Sequence, residues 1–141
     1  MFKRIVVAMK FTSAGQYALE KGIGLARDHG ADLHIFHALD YTLIERSDSD
    51  PRLLEEKKVV EMSFEKDVRP LLGDLNNVTF EFIPTDPALE VCKIAKAREA
   101  DLIILGCHQY MEHMCLGRID YVGMTILEKA PCPVLLVPYC D

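Results

Sequence analysis

The chain has 141 residues, half of them hydrophobic, with 16 Lys and Arg against 22 Asp and Glu, a formal charge of −6. Such a length suits one domain around one core over residues 1–141, and an acidic balance without a basic run argues against a nucleic-acid partner. No segment nears the roughly 18 apolar residues of a membrane span. The N-terminus lacks a signal-peptide cleavage site, and five cysteines without a CxxC pair give no disulfide framework. A reducing cytoplasm is therefore the expected home, with no membrane partner.

Ile5 to Met9 is continuously apolar, as expected of a strand buried on both faces of a parallel sheet. Thr12 or Ser13 can cap the helix that follows, and Ser13 with Gln16 has capping-box spacing. Ala14, Tyr17, Ala18, Gly22 and Leu25 fall on one face of this helix, and Gly30 closes it. Ala31 to Ala38 reads as a second strand and Leu39 to Asp50 as a polar loop. Asp50-Pro51 is a cap followed by proline at the first helical position, and Leu53, Val60, Phe64, Val68 and Leu71 continue at helical spacing. Val78 to Ile83 alternates as a half-exposed edge strand would. Asp86-Pro87 repeats the cap-and-proline device before Ala88, Val91, Cys92 and Ala95.

The next stretch organises the rest. Asp101 to Gly106 is an apolar run closed by glycine, and an irregular loop is expected from Cys107 to Leu116. A helix is expected over Ile119 to Ala130, followed by a last strand, Val134 to Val137. Strand and helix alternate throughout, with five strands and four helices. That order implies an α/β fold, a Rossmann-like doubly wound parallel sheet with helices on both faces. Ligands of such sheets collect beyond the carboxyl ends of the strands. The apolar last strand would lie at an edge, bracketed by Pro133 and Pro138. Pairing with a second copy of the chain through Val134–Val137 would cover it; the alternative is that Tyr139-Cys140-Asp141 folds back over it.

Three of these segments together resemble the universal stress protein family: Ile5-Val6-Val7-Ala8-Met9, the run Asp101 to His108, and Ala130-Pro131-Cys132-Pro133-Val134-Leu135-Leu136-Val137. The resemblance spans the whole chain and implies a five-stranded Rossmann-like sheet, homodimers paired through the last strand, and a cytoplasmic role in stress response. Family members that bind ATP carry Gly-x-x-Gly, nine residues, then Gly followed by Ser or Thr. Gly106 matches the first glycine, Gln109 stands at the second, and the final pair falls at Ile119-Asp120 or Asp120-Tyr121. Lys10-Phe11-Thr12 stands where the first strand of ATP binders ends in Asp-Gly-Ser.

These replacements have chemical consequences. Glycines in a phosphate loop let backbone N–H groups close on the phosphate. Gln109 crowds that approach, Met111, Glu112 and Met114 make the loop bulky, and Asp120 sets a negative charge where a phosphate would sit. Lys10 and Arg118 could neutralise a phosphate from another side, with Gly117 as a displaced third glycine. The leading expectation is a non-enzymatic, homodimeric stress-response domain that lacks standard ATP binding. Its crevice is lined by Lys10, Thr12, Ala38, Gly106, His108 and Gln109, with Gly117 and Tyr121 from the loop. The alternative is an adenine nucleotide binder, for ATP or AMP, with a modified phosphate loop, and a third reading, ranked below it, is a metal-binding loop protein.

The remaining constellations are weaker. Cys107, His108, His113 and Cys115 are zinc or copper ligand types, but their spacing matches no finger or ribbon, and no metal site is assigned. Gly22-Ile23-Gly24 begins like a dinucleotide fingerprint but lies inside a helix, where packing accounts for it. Cys107 and His108 point apart at a strand end, so no catalytic pair is assigned. His34 and His37 fall on opposite faces of the second strand, with His37 toward the crevice.

Overall fold

The computed structural model of the chain describes residues 1–109 and 119–140. The strands are β1 (Arg4–Ala8), β2 (Asp32–Leu39), β3 (Val78–Pro84), β4 (Leu102–Gln109) and β5 (Val134–Cys140). They form one parallel sheet in the order β3-β2-β1-β4-β5. The helices are α1 (Ser13–His29), α2 (Pro51–Ser63), α3 (Pro87–Ala97) and α4 (Tyr121–Lys129). The winding reverses between β1 and β4, which opens a crevice at their carboxyl ends.

Alternate residues of the strands feed two cores. Ile5, Val7, Leu33, Ile35 and Ile104 pack under Leu19 and Ile23 of α1 and under Phe64 and Val68 beyond α2. Val6, Phe36, Ile103 and Leu105 pack under Val91 and Ile94 of α3 and Ile126 of α4. Val7, Ile35 and Ile104 are fully buried. Each such side chain contributes about 1.5–3 kcal/mol by leaving water. The α1 face differs in detail from the expected one: Ala14, Ala18 and Gly22 are buried, but Leu19, Ile23 and Ala26 complete the face while Tyr17 and Leu25 are half-buried.

The helix starts follow the caps. The Thr12 hydroxyl accepts from the Gly15 N–H, Asp50 from Arg52, and Asp86 from Ala88 and Leu89. Gly30 takes the left-handed conformation at the end of α1, with φ 64°. The segment after β2 is not wholly polar loop: it holds a short 3₁₀ turn (Tyr41–Leu43), and Leu43 packs with Leu39, Leu53 and Val60. Beyond α2 the backbone widens into a π-type turn (Phe64–Val68) and closes with Arg69–Leu72. The Arg69 N–H there reaches back to the Phe64 carbonyl, just before Pro70, which has no N–H to donate.

Three boundaries differ from the sequence expectation. β4 does not stop at Gly106: Gly106, Cys107, His108 and Gln109 pair with Val137, Pro138, Tyr139 and Cys140. The expected loop, Cys107 to Leu116, therefore starts as strand, and residues 110–118 lie outside the described set. β5 likewise continues through Pro138 to Cys140, so Tyr139 and Cys140 do not fold back over the edge; Asp141 lies outside the described set. The Tyr139 ring instead lies 5.7 Å from that of Tyr17 on α1. Pro138 is tolerated because β5 is an edge strand. Finally, α4 begins at Tyr121 rather than Ile119, because Asp120 caps it.

Candidate functional site

The crevice is built by the ends of β1 and β4, the first turn of α1 and the start of α4. Thr12 N–H donates to the Lys10 carbonyl, turning the chain from β1 into α1. A Cβ on Gly15 would lie 1.9 Å from the Lys10 carbonyl oxygen, and one on Gly106 would lie 2.6 Å from that of Ala14. Backbone thus meets backbone along this seam, and glycine is required on both sides. The glycine at 106 is accounted for by α1, which lies against it.

The charges of the crevice are paired internally. Asp120 is the N-cap of α4, and its Oδ1 accepts from the Gly123 N–H at 2.7 Å. Its Oδ2 lies 3.7 Å from Lys10 Nζ, with both side chains about 60% exposed (60% and 61%). A helix amino end attracts anions through its free N–H groups and its dipole. Here the chain's own carboxylate takes an N–H at that end and stands against the nearest ammonium. Cys107, close by, has its thiol pushed above the usual range by partial burial and by the Asp120 charge.

His37 walls the β2 side. Its Nδ1–H donates to the Met9 carbonyl at 2.9 Å, and Phe11 meets its ring edge-on at 4.8 Å. Burial, the largest cause, holds its pKa below the ordinary value, with the Met9 bond acting in the opposite sense. The ring is therefore neutral at pH 7 and committed to the fold.

The structure brings Lys10 and Asp120 together and sets Thr12, Gly106 and Cys107 beside them along the α1 seam. Thr12 is engaged as a cap, so its hydroxyl already has a donor. Ala38 is half-buried on the α3 face of β2. Tyr121 opens α4 and is 74% exposed. His108 and Gln109 extend β4, but their side chains lie outside the described set, as do Met111, Glu112, His113, Met114, Cys115, Gly117 and Arg118. Among the described residues no group of His, Cys, Asp and Glu is placed to hold a metal ion. Gly22 packs against the sheet, where an added Cβ would meet Val7 at 2.7 Å. The capping role of Asp120 is the feature that periodicity missed. Its signal was an Asp three residues before Gly123, the cap-to-N3 spacing.

The fold and the whole sequence have counterparts among known proteins. The chain is 24% identical to a universal stress protein of Methanocaldococcus jannaschii, over 97% of this chain and 82% of that protein. The universal stress protein UspA from Lactobacillus plantarum superposes with a TM-score of 0.74 at 20% identity, covering 96% of this chain and 97% of that one. A universal stress protein from Archaeoglobus fulgidus, solved in complex with dAMP, superposes with a TM-score of 0.67 at 17% identity, covering 95% and 96%. The model of the universal stress protein family matches residues 1–138, and the chain belongs to that family.

Proposed function

We propose that this chain is a non-enzymatic, cytoplasmic stress-response domain that acts as a homodimer and does not hold a nucleoside triphosphate in its crevice. The observation that carries this reading is the Asp120 carboxylate, which accepts from the α4 amino end and stands 3.7 Å from Lys10. A γ-phosphate entering there would meet a like charge and would have to displace it. Absence of catalysis is supported by the Cys107 thiol, which burial and Asp120 keep protonated. The homodimer is supported by β5, an edge strand whose Leu135 is 39% exposed.

A second reading is an adenine monophosphate binder. It is favoured by the Archaeoglobus fulgidus relative solved with dAMP. A monophosphate carries less charge and needs a shorter reach into the loop. Thermal shift of the purified chain with ATP, ADP and AMP separates the two. No stabilisation by any of them is the outcome expected. Stabilisation of several degrees by AMP alone would favour the second reading, and the same response to ATP would overturn both.

A further inference from the structure

A pocket of about 420 Å³ opens at the amino ends of β1, β2 and β3, at the opposite end of the sheet from the crevice. Its polar lining includes Arg4, Asp32, His34, Thr79 and Arg98, and Asn76 and Asn77 add two side-chain amides. Val78, half-buried, gives it apolar wall, while Ile5 and Leu33 are buried in the core beneath it. Pockets of this size with convergent polar groups are where small molecules bind.

The charge here runs against that of the molecule. The whole chain carries −6, yet this pocket sets two guanidiniums against one carboxylate. Arg4 has a counter-ion outside the lining, Glu99, at 3.7 Å. Arg98 is exposed, and its side chain has no hydrogen bond or ion pair among the described residues. A guanidinium with five N–H donors and no bonded acceptor among the described residues suits a planar or tetrahedral oxyanion.

His34 stands behind Arg98 as part of the wall. It is 4% exposed, with Nδ1 hydrogen-bonded to the Thr79 hydroxyl. Its Nε2 is buried without a hydrogen-bond partner among the described residues; Glu81 Oε1 is 3.6 Å away. Burial lowers the pKa of His34, and the Arg98 charge lowers it further, while Glu81 acts in the opposite sense. The ring therefore feels whatever neutralises Arg98.

We propose that this pocket is a second ligand site, for a small organic anion whose carboxylate or phosphate group is held by Arg98 and Arg4. The Asn76 and Asn77 amides complete the polar wall, and half-buried Val78 offers apolar surface to the ligand's carbon skeleton. This site does not depend on the crevice or on the reading given for it.

The test is an NMR titration of the full chain, following the Asn76 and Asn77 amides and the His34 ring. Sodium phosphate and sodium succinate are the probes, with sodium chloride at matched ionic strength as reference. A saturable shift with a dissociation constant of about millimolar is expected for at least one probe, with the His34 titration midpoint moving upward. Saturation by phosphate alone assigns a phosphate head group, by succinate alone a carboxylate, and by both a general oxyanion site. Arg98→Gln, on an exposed side chain, should weaken binding roughly tenfold or more, whereas Lys66→Gln, a control for lost charge, should not. Shifts that only track chloride, or an affinity indifferent to Arg98→Gln, would overturn the proposal.

Discussion

At the scale of single residues, two exchanges define the crevice: Lys10 at the end of β1 and Asp120 at the start of α4. Both stood out in the sequence, Asp120 as a negative charge where a phosphate would sit and Lys10 as a cation where ATP binders carry Asp. Their pairing did not, because it depends on the sheet order that brings β1 beside β4 and α4 over the crevice. As an exposed ion pair it adds at most about 1 kcal/mol. The consequence proposed for it is electrostatic exclusion of a phosphate rather than stability. Gly106 shows the reverse. In the sequence it matched a phosphate-loop glycine, while in the fold the Ala14 carbonyl occupies the side where a Cβ would go. Gly106→Ala should therefore cost about 1–3 kcal/mol in urea denaturation, as overpacking against rigid backbone does. Gly24→Ala is the contrast. Nothing lies within 4 Å of a Cβ there, so the helix should gain about 0.5–1 kcal/mol. Equal effects of the two substitutions would contradict the packing assigned to Gly106.

At the scale of elements, most starts were legible and several ends were not. Thr12, Asp50 and Asp86 mark helix starts because a side-chain oxygen must satisfy a free N–H, and each does so in the fold. β4 outran its expected end because a glycine inside an apolar run reads as a stop, whereas here it is a point of close helix approach. The wide turn after α2 was signalled only by Pro70, and local spacing could not tell a widened helix from a broken one. The amino-end pocket was not legible at all, since it joins β1, β2, β3 and the end of α3.

Element β2 also carries an expected pH response. Burial lowers the pKa of both its histidines, His34 and His37, from 6.5 in the folded chain. Below that value the unfolded chain takes up protons that the folded chain refuses. Their contribution is therefore intact above about pH 6.5 and declines as the pH falls toward 5. The carboxyls of Asp40 and Glu65 are shifted down, Asp40 by bonds from the Thr42 N–H and hydroxyl and Glu65 by Arg69, so their titration lies lower and does not mask this window. Urea midpoints measured from about pH 7 to pH 5 should fall for the native chain and fall less for a His34→Gln/His37→Gln variant. A flat profile for the native chain would contradict the burial of these rings as the cause.

At the scale of the whole molecule, the sheet has two edges with different protection. β3 is the half-exposed edge with Thr79 and Glu81 along it, whereas β5 presents Val134, Leu135 and Leu136 with Pro138 near its end. A second copy pairing along β5 would satisfy its outer backbone groups and cover Leu135. Sedimentation of the native chain should give a dimer at micromolar concentration, and Leu135→Lys should shift it toward monomer. A native monomer at that concentration would refute pairing through β5. Family membership and fold are settled at this scale by alternation of strand and helix and by the match over residues 1–138. What the crevice holds is decided by a handful of atoms that such alternation does not constrain.

The most direct test of the self-occupied crevice is calorimetric titration of magnesium-ATP into the native chain and into Asp120→Ser. Serine keeps a cap for α4 while removing the carboxylate that faces Lys10. No saturable heat from the native chain, with measurable binding gained by Asp120→Ser, is the expected result. Tight ATP binding by the native chain, unchanged or weakened in Asp120→Ser, would contradict it.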